Sequence, residues 1–326
     1  MKGLKVVVVD STFPAYDIER AIFEPLGVTF EVHDAKTPEA VLRVARDADV
    51  LMVGWAPVTR EVIEGLERCR GIVRYGVGYE IIDVEAAAER GIPVANVPDY
   101  CTDEVADQAL AFILTLARKL HLVRAQLRAG TWQGAPLRPI HELRSLRLGL
   151  LGIGRIGRAV IERARPFGFT IQAHDPFADE GVFEELGILQ VDHATLLDTS
   201  DVLSLHVPLT PTTRRVIDAA ALARMPKGAM LVNVSRGGLV DEAALADALR
   251  AGHLSGAALD VFEREPVATD SPLLGIDAFI GTSHYAWYSE EAFERLQRFA
   301  ALEVVRLLQG ELPRNVVNRV VRPLKT

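Results

Sequence analysis

Three side chains suited to acid–base and carboxylate chemistry follow apolar runs in the second half of this 326-residue chain. Arg236 comes shortly after the run 231–234, and a guanidinium at that place can hold a carboxylate through two parallel hydrogen bonds. His284 follows the run 279–282, and imidazole is the natural proton donor and acceptor near neutral pH. Glu265 could orient that imidazole and favour its charged form.

Each of these residues also has a purely structural interpretation. The arginine could cap a strand at the surface, the glutamate could be a solvated acid in a charged loop, and the histidine could be a satisfied structural residue. Position favours the chemical interpretation, because the carboxyl ends of parallel strands lie at one edge of a sheet, where ligands of open α/β proteins bind. Among the eight histidines of the chain, only the place of His284 after a predicted strand singles it out.

A glycine pattern precedes these residues. Gly152, Gly154 and Gly157 stand between an apolar run and a helical pattern, and Asp175 follows eighteen residues later at the end of a second apolar run. This arrangement is the dinucleotide-binding fingerprint in its required setting, with phosphates expected at the helix N-terminus. The alternative is a glycine-rich turn of another α/β protein. Because Asp175 can accept from a ribose hydroxyl and would repel a 2′-phosphate, we expect NAD rather than NADP.

The elements that must position these residues alternate between strand and helix. In the first hundred residues we predict strands at 5–9, 28–33, 50–54, 72–75 and 93–96, and helices at 16–25, 38–47, 60–68 and 84–90. Strands are predicted again at 146–151, 169–174, 202–206, 230–234, 256–260 and 279–282, before a last helix at 289–309. Such alternation predicts parallel sheets with crossover helices.

We therefore predict an α/β protein with two doubly wound parallel-sheet domains. A Rossmann NAD domain, residues 99–288, is inserted in a flavodoxin-like substrate domain formed by residues 1–98 and 289–326. The active cleft would lie between the two domains. A long helix is predicted from Asp103 to about Arg128, followed by an irregular arm at 129–143. Both segments are too apolar to face water alone, which predicts a homodimer.

Composition narrows the class of protein further. The net charge of −8, with no run of like charge, does not predict a nucleic-acid partner. The two cysteines, Cys69 and Cys101, match no metal spacing and predict free thiols in a reducing compartment. The first apolar run, 6–9, is too short for a signal peptide or a membrane span, so we expect a cytoplasmic protein without a membrane partner or a metal.

The chain resembles the D-isomer-specific 2-hydroxyacid dehydrogenase family over nearly its whole length. The resemblance is carried by the glycine pattern with Asp175 and by four later motifs in the right order, namely 205–210, Asn233–Asp241, Asp260–Pro266 and His284. In that family the matching arginine, glutamate and histidine form the catalytic set, so the resemblance implies these roles for Arg236, Glu265 and His284. It also implies a nicotinamide contact for His206, Val207 and Pro208, while Asp260 could meet the carboxamide. Further implied cofactor contacts are Thr102, Arg155, Ile156, Thr213 and Val234.

Within the family, the chain looks most like the C-terminal-binding proteins. This closer resemblance rests on residues 74–79, 126–130, 236–242 and 286–290. It implies that Arg74 and Trp287 line the substrate pocket. Two residues depart from the family pattern: Ser283 replaces the usual Pro before the histidine, and Glu80 replaces the usual Asn.

The function implied is reversible hydride transfer between NADH and a small 2-oxo acid, with a D-2-hydroxy acid as the product. The substrate carboxylate would bind Arg236 and the backbone N–H groups around Val77 and Gly78. Trp55 either faces the cleft, where it would suit an apolar or thioether side chain, or packs in the core. Residues 54–58 offer no cation for a phosphate, and Arg60 is expected to open a helix.

A second hypothesis comes from the same resemblance. C-terminal-binding proteins also act as NAD-responsive scaffolds that bind peptide motifs, so this chain could be a binding protein with little turnover. The complete catalytic set favours the enzyme.

Overall fold

The structure is a computed structural model that describes residues 1, 3–132 and 137–321. It divides into two compact units. The first unit comprises Met1–Cys101 and the described residues from Ser289 onward, and the second comprises Thr102–Tyr288. Part of the predicted arm at 129–143, residues 133–136, lies outside the described residues.

The first unit is built on a five-stranded parallel sheet. Its strands are β1 (Lys5–Val8), β2 (Thr29–Val32), β3 (Val50–Val53), β4 (Gly71–Arg74) and β5 (Val94–Ala95). Their order is β2-β1-β3-β4-β5, the flavodoxin-like order, with its switch point between β1 and β3. Both of these strands are almost entirely buried, which explains why they read as continuous apolar runs.

Four short helices connect these strands. They are α1 (Asp17–Phe23), α2 (Pro38–Ala45), α3 (Arg60–Gly65) and α4 (Val84–Glu89). Two begin at side-chain caps: Thr37 accepts from Ala40 N and Asp83 accepts from Ala86 N at 2.8 Å, so each satisfies a free N–H of a first turn. As predicted, Arg60 opens a helix.

The predicted long helix of residues 103–128 is wrong in one respect. The segment forms two helices, α5 (Thr102–Ala117) and α6 (Leu120–Arg128). Lys119 between them has a φ of 51°, a left-handed conformation in which an α-helix cannot continue. The apolar face of α5 is buried, whereas α6 buries no residue completely.

The second unit contains a seven-stranded parallel sheet. Its strands are β6 (Arg147–Leu151), β7 (Thr170–His174), β8 (Leu189–Gln190), β9 (Val202–Leu205), β10 (Met230–Asn233), β11 (Gly256–Leu259) and β12 (Phe279–Gly281). The order is β12-β11-β10-β9-β6-β7-β8. Successive strands are added on one side of β6 up to β8 and on its other side from β9 onward, so the switch point falls between β6 and β9. This is the Rossmann order, extended by one strand, and it places the expected nucleotide crevice at the β6/β9 switch point.

Helices α7 (Arg155–Ala164), α8 (Glu180–Glu185), α9 (His193–Thr199), α10 (Ala219–Arg224) and α11 (Glu242–Arg250) connect these strands. Aspartates cap three of them: Asp192 at α9, Asp218 at α10 and Asp241 at α11. A core of buried aliphatic side chains fills the space between α9, α10, α11 and the sheet.

The last helix, α12 (Glu290–Leu308), belongs to the first unit. Ser289 caps it by accepting from Ala292 N at 2.9 Å, and acidic residues occupy its first turn, as the sequence predicts. The helix packs closely on β4, because a Cβ at Gly71 would lie 2.5 Å from Leu307.

The predicted fold class is confirmed, since both sheets are parallel and alternate with helices. Among the described residues, no helix is long and apolar enough to cross a bilayer. The same residues contain no cluster of His, Cys, Asp or Glu that could hold a metal ion. Cys69 and Cys101 are both buried and are not joined by a disulfide.

Candidate active site

The three residues proposed for chemistry all lie in the second unit, at the carboxyl edge of its sheet. Arg236 follows β10, Glu265 follows β11, and His284 follows β12. These three strands are neighbours in the sheet. The topology therefore brings to one edge three side chains that are up to 48 positions apart in the chain.

The imidazole and the carboxylate are in direct contact. His284 Nδ1 lies 2.7 Å from Glu265 Oε2, and Phe262 N donates to Glu265 Oε1 at 3.0 Å. Burial acts to raise the pKa of the Glu265 carboxyl, but the two hydrogen bonds and the nearby charge of Arg236 outweigh it, so the pKa lies below its ordinary value. The carboxylate thus stays negative beside the imidazole throughout the neutral range.

His284 itself has a left-handed backbone conformation. Its φ is 55°, which is uncommon for a residue other than glycine. Asp260, which is 1% exposed, holds the turn around it: the carboxylate accepts from Tyr285 N at 2.8 Å, Ala286 N at 2.9 Å and the hydroxyl of Thr282. The Asp260 carbonyl also accepts from His284 N at 2.7 Å.

These contacts give Asp260 a role that the sequence did not predict. Its carboxylate accepts from three protein donors that fix the histidine turn, whereas the predicted contact with a cofactor carboxamide stays a prediction. Thr282 was also missed as a site residue. The signal that could have found it is a hydroxyl two residues before the histidine, next to a buried acid at the end of the neighbouring strand.

The arginine loop is fixed by Asn233 at the end of β10. The Asn233 side chain donates to Arg236 O at 2.8 Å and accepts from Ser235 N at 3.0 Å. One guanidinium nitrogen of Arg236 donates to Ser235 O at 2.7 Å. Gly237, next to Arg236, packs so closely on the backbone of Phe262 that a Cβ there would overlap it.

The three fingerprint glycines differ in what surrounds them. Gly152 has a φ of 94°, and a Cβ on it would lie 2.7 Å from His206 O. A Cβ on Gly157 would lie 2.5 Å from Gly152 O, so only glycine allows the helix to approach the turn. At Gly154 a Cβ would meet no described heavy atom within 4 Å, and no side chain caps the first turn of α7. These open N–H groups fit a pyrophosphate.

Asp175 lies directly after β7, beside this turn. Its carboxylate accepts from Ile153 N at 2.9 Å and from Phe177 N at 3.0 Å. Both hydrogen bonds fix its orientation without occupying all its acceptor sites. A carboxylate in this place fits a ribose with a free 2′-hydroxyl and disfavours a 2′-phosphate.

His206 lies across the switch point, directly after β9. Burial lowers the pKa of its imidazole to about 4, and its Nε2 lies 2.9 Å from Ser204 Oγ. The ring is therefore neutral at physiological pH, which fits a role in shaping the pocket rather than in proton transfer.

The remaining predicted cofactor residues lie on the same unit. Thr213 donates from its hydroxyl to Pro208 O at 2.7 Å and closes the turn that follows Val207. Arg155 and Ile156 form the first turn of α7, Val234 directly follows β10, and Thr102 begins α5. Their contacts with a cofactor stay predictions.

The predicted substrate residues divide between the units. Trp55, Arg74, Val77 and Gly78 lie in the first unit, and Trp287 lies in the second, edge-on to Tyr288. The alternative that Trp55 packs in the core is wrong, because 55% of its surface is exposed. The Arg74 guanidinium lies 4.9 Å from the centre of the Trp55 ring.

Comparison with known proteins gives a family match. Residues 110–286 match the family model described as D-isomer specific 2-hydroxyacid dehydrogenase, NAD binding domain. The matched region contains the glycine turn, Asp175 and the three residues proposed for catalysis.

Two curated relatives match most of the chain. It is 42% identical over 317 residues to a D-3-phosphoglycerate dehydrogenase of Methanocaldococcus jannaschii, which covers 97% of this chain and 59% of the relative. It is 38% identical over 287 residues to a glyoxylate reductase of Korarchaeum cryptofilum, which covers 87% of this chain and 86% of the relative. The chain thus spans less than two thirds of the length of the first relative.

Solved structures share the whole fold. The TT0316 protein of Thermus thermophilus superposes with a TM-score of 0.87 at 34% identity, covering 96% of this chain and all of the other. A D-lactate dehydrogenase of Aquifex aeolicus, complexed with NAD and lactic acid, superposes with a TM-score of 0.84 at 27% identity, covering 94% of this chain and 96% of the other.

Proposed function

Because the chain belongs to the D-isomer-specific 2-hydroxyacid dehydrogenase family, we propose that it is an NAD-dependent oxidoreductase that interconverts a 2-oxo acid and a D-2-hydroxy acid. The observation that carries the proposal is the 2.7 Å contact between His284 and Glu265, with the charge of Arg236 close by, at the carboxyl edge of a Rossmann sheet. A proton donor, its counter-charge and a carboxylate-binding guanidinium are the groups that carbonyl reduction requires.

Each catalytic residue has a distinct part in the proposal. Arg236 binds the substrate carboxylate and polarises the carbonyl. His284, held by Glu265 through Nδ1, donates its Nε2 proton to the carbonyl oxygen as negative charge develops there. In the reverse direction the neutral imidazole accepts the hydroxyl proton. The bound nicotinamide supplies or accepts the hydride, and the protein supplies orientation and charge.

The residues that the family resemblance implies for substrate binding in the first unit stay part of this proposal. Backbone N–H groups around Val77 and Gly78 would complete the binding of the carboxylate. Trp55 and Trp287 would favour an apolar or thioether side chain on the substrate, with Arg74 also lining the site.

One relative is named for a phosphorylated substrate, yet this chain lacks cations for a phosphate in residues 54–58. Nearby Arg60 begins α3 and pairs with Glu89 at 2.6 Å, so its charge is already balanced. We therefore propose a substrate with an uncharged side chain.

A panel of 2-oxo acids tests the activity directly. NADH oxidation would be followed with pyruvate, glyoxylate, hydroxypyruvate, longer apolar 2-oxo acids and phosphohydroxypyruvate, each repeated with NADPH. We expect turnover of at least one 2-oxo acid with an uncharged side chain, a D-configured product and a preference for NADH. Tight NADH binding without turnover of any compound would instead favour the scaffold function.

Gly154 offers a test of cofactor binding alone. A Cβ at this position meets no described protein atom, so Gly154→Ala should leave the thermal midpoint nearly unchanged. The methyl group would stand where a pyrophosphate must approach the backbone, and we expect the Kd for NADH to rise by about 10-fold, which corresponds to about 1.4 kcal/mol. Fluorescence titration with NADH measures this effect. Gly181→Ala on α8, equally free of close contacts, is the matched control, and equal affinities for the two variants would contradict the proposed phosphate site.

The ion pair predicts a pH effect with a definite sign. Because the pKa of Glu265 lies below its ordinary value, its carboxylate is charged throughout the neutral range, 2.7 Å from the imidazole of His284. Its contribution is therefore complete near neutral pH and is lost only as pH falls far enough to protonate Glu265 itself. Glu265→Gln removes the negative charge, and we expect kcat/KM for reduction at neutral pH to be about 10-fold lower than in the wild type, with the difference narrowing in acid. Equal kcat/KM values for the two proteins across the neutral range would exclude this role for Glu265.

Assembly, location and subfamily complete the proposal. The exposed apolar side chains of α6, namely Leu120, Val123 and Leu127, support a homodimer, which light scattering in solution tests. A cytoplasmic location stays a proposal. The likeness to the C-terminal-binding proteins rests on the four short motifs alone, because the curated relatives reported above carry other names.

A further inference from the structure

A buried acid outside the catalytic set holds the loop that carries Trp55. Asp10 follows β1 and is 5% exposed. Its carboxylate accepts hydrogen bonds from three consecutive backbone N–H groups: Gly54 at 2.7 Å, Ala56 at 2.9 Å and Trp55 between them. These residues directly follow β3, so one side chain fixes a whole turn that is more than 40 positions away in the chain.

The Gly54–Ala56 turn lies at the switch point of the first sheet. In the sheet order of the first unit, the switch point falls between β1 and β3, and Asp10 and the Gly54–Ala56 turn stand at the carboxyl ends of these two strands. Ligands of open α/β sheets bind in the crevice at such a point. The turn is closely packed as well, because a Cβ on Gly54 would lie 2.9 Å from the Asp10 carboxylate and would overlap Thr12.

The same turn supports Arg74. The indole of Trp55 lies beneath the Arg74 guanidinium at 4.9 Å, which is the geometry of a cation–π contact. On another side, a Cβ on Gly76 would lie 2.6 Å from Arg74 Nη1, so the guanidinium rests against this glycine too. Arg74 is 7% exposed, and its position is therefore defined by what packs on it.

The Asp10 carboxylate and the Arg74 guanidinium also interact through their charges. Burial raises the pKa of the Asp10 carboxyl, while the three N–H donors and the positive charge of Arg74 act in the opposite direction. The carboxylate thus holds the turn through hydrogen bonds and balances a buried guanidinium at the end of β4.

We infer that Asp10 is the positioning residue of the substrate-binding loop, and that it holds Trp55 beneath the Arg74 guanidinium so that both side chains are in place for the 2-oxo acid. The inference rests on the proposed function for the identity of the ligand. Asp10 itself touches no substrate and acts only through the turn.

Asp10→Asn tests this inference in the full-length chain. An amide can accept with its oxygen but not with its nitrogen, so part of the three-donor contact is lost. Since hydrogen bonds to charged groups contribute more than neutral ones, we expect KM for the best 2-oxo acid of the panel to rise by about 10-fold. We expect kcat to change less than about 3-fold and the NADH affinity to stay constant, because the catalytic set and the nucleotide turn lie in the other unit.

Asp49→Asn is the matched control. Asp49 is also buried, accepts from a backbone N–H (Lys5 N at 2.8 Å) and lies in the same unit, but it precedes β3 instead of following a strand end. Its replacement should lower stability without raising KM selectively. A similar KM for both variants, or equal losses in kcat and kcat/KM for Asp10→Asn, would overturn the inference.

A structural readout keeps the test independent of activity. A crystal structure of the Asp10→Asn protein without substrate should show the Gly54–Ala56 turn displaced and the indole of Trp55 moved away from Arg74. An unmoved turn would overturn the inference even if KM rose. If Asp10→Asn does not fold, Trp55→Leu tests the same contact from the other side and should raise KM by a similar factor. Absence of turnover in the wild-type protein would refute the proposed function. The crystal structure would still show whether Asp10 holds the Gly54–Ala56 turn.

Discussion

Replacing His284 with alanine is expected to lower kcat for 2-oxo acid reduction by about 10²–10⁴-fold, the usual contribution of a positioned acid–base group. The alanine variant removes the only group proposed to deliver a proton to the carbonyl oxygen. It leaves Arg236 in place, so binding and polarisation of the substrate remain and a residual rate is expected. Stopped-flow or steady-state oxidation of NADH at saturating substrate measures the loss.

The interpretation requires that the variant still binds cofactor. His284 follows β12, whereas the glycine turn follows β6, so the Kd for NADH should be close to that of the wild type. His141→Ala provides the control, because this exposed histidine of the second unit has no part in the proposed chemistry. Wild-type turnover by His284→Ala would remove His284 from the mechanism, and the contact with Glu265 would then have only a structural meaning.

Much of the fold could be predicted because buried parallel strands read as continuous apolar runs. The predicted strand at 146–151 corresponds to β6, and that at 202–206 corresponds to β9, each within one residue. Once the strands are placed, the rule that ligands bind at their carboxyl ends selects the residues that follow them. That rule places His284 at the ligand-binding edge of the sheet, which its residue type, shared by eight histidines, does not do.

The break between α5 and α6 shows where pattern reasoning fails. Neither glycine nor proline marks it, and the apolar spacing continues on both sides. Lys119 takes a left-handed conformation that its side chain does not favour, so the break is imposed by surroundings that the local sequence does not reveal. Propensity is a weak guide wherever tertiary packing decides the backbone.

The residues that support the site, Asp260 and Asp10, could not be predicted from the sequence for a different reason. Asp260 and Asp10 act through hydrogen bonds to turns that are at least 22 and 44 positions away, and a sequence shows only that each is an acid at a strand end. Each of these carboxylates accepts hydrogen bonds from three protein donors, and this feature, which the sequence does not show, distinguishes them from solvated acids. The sequence therefore selects the residues proposed to touch the reacting groups, whereas it does not reveal the residues that hold their turns in place.

Gly237 links the two loops on which the catalytic set depends, and Gly237→Ala is the second substitution with a large expected effect. A Cβ at this position would overlap the carbonyl group of Phe262 and the nitrogen of Glu263. These are backbone atoms, so no rotamer change can relieve the overlap. One of the two loops must move, either the one that carries Arg236 or the one that carries Glu265.

Movement of either loop separates groups that must act together. Phe262 N donates to the Glu265 carboxylate, and Glu263 N donates to Glu242, so a shift of this backbone moves the partner of His284. Displacements of about 1 Å can cost about 10²-fold in rate, and we expect a loss of that size in kcat/KM. The free energy of unfolding should fall by about 1–3 kcal/mol, the usual cost of overpacking.

The matched control is Gly275→Ala, because a Cβ at Gly275 would meet nothing within 4 Å and the residue lies in the same unit. Activity and thermal midpoint should both stay near wild-type values in that protein. Assays well below the thermal midpoint separate misplacement from unfolding, since only misplacement lowers the rate of a fully folded protein. If Gly237→Ala proved as active as Gly275→Ala, the close packing of the two loops would have no bearing on catalysis, and the rigid placement of Arg236 beside Glu265 would cease to explain the rate.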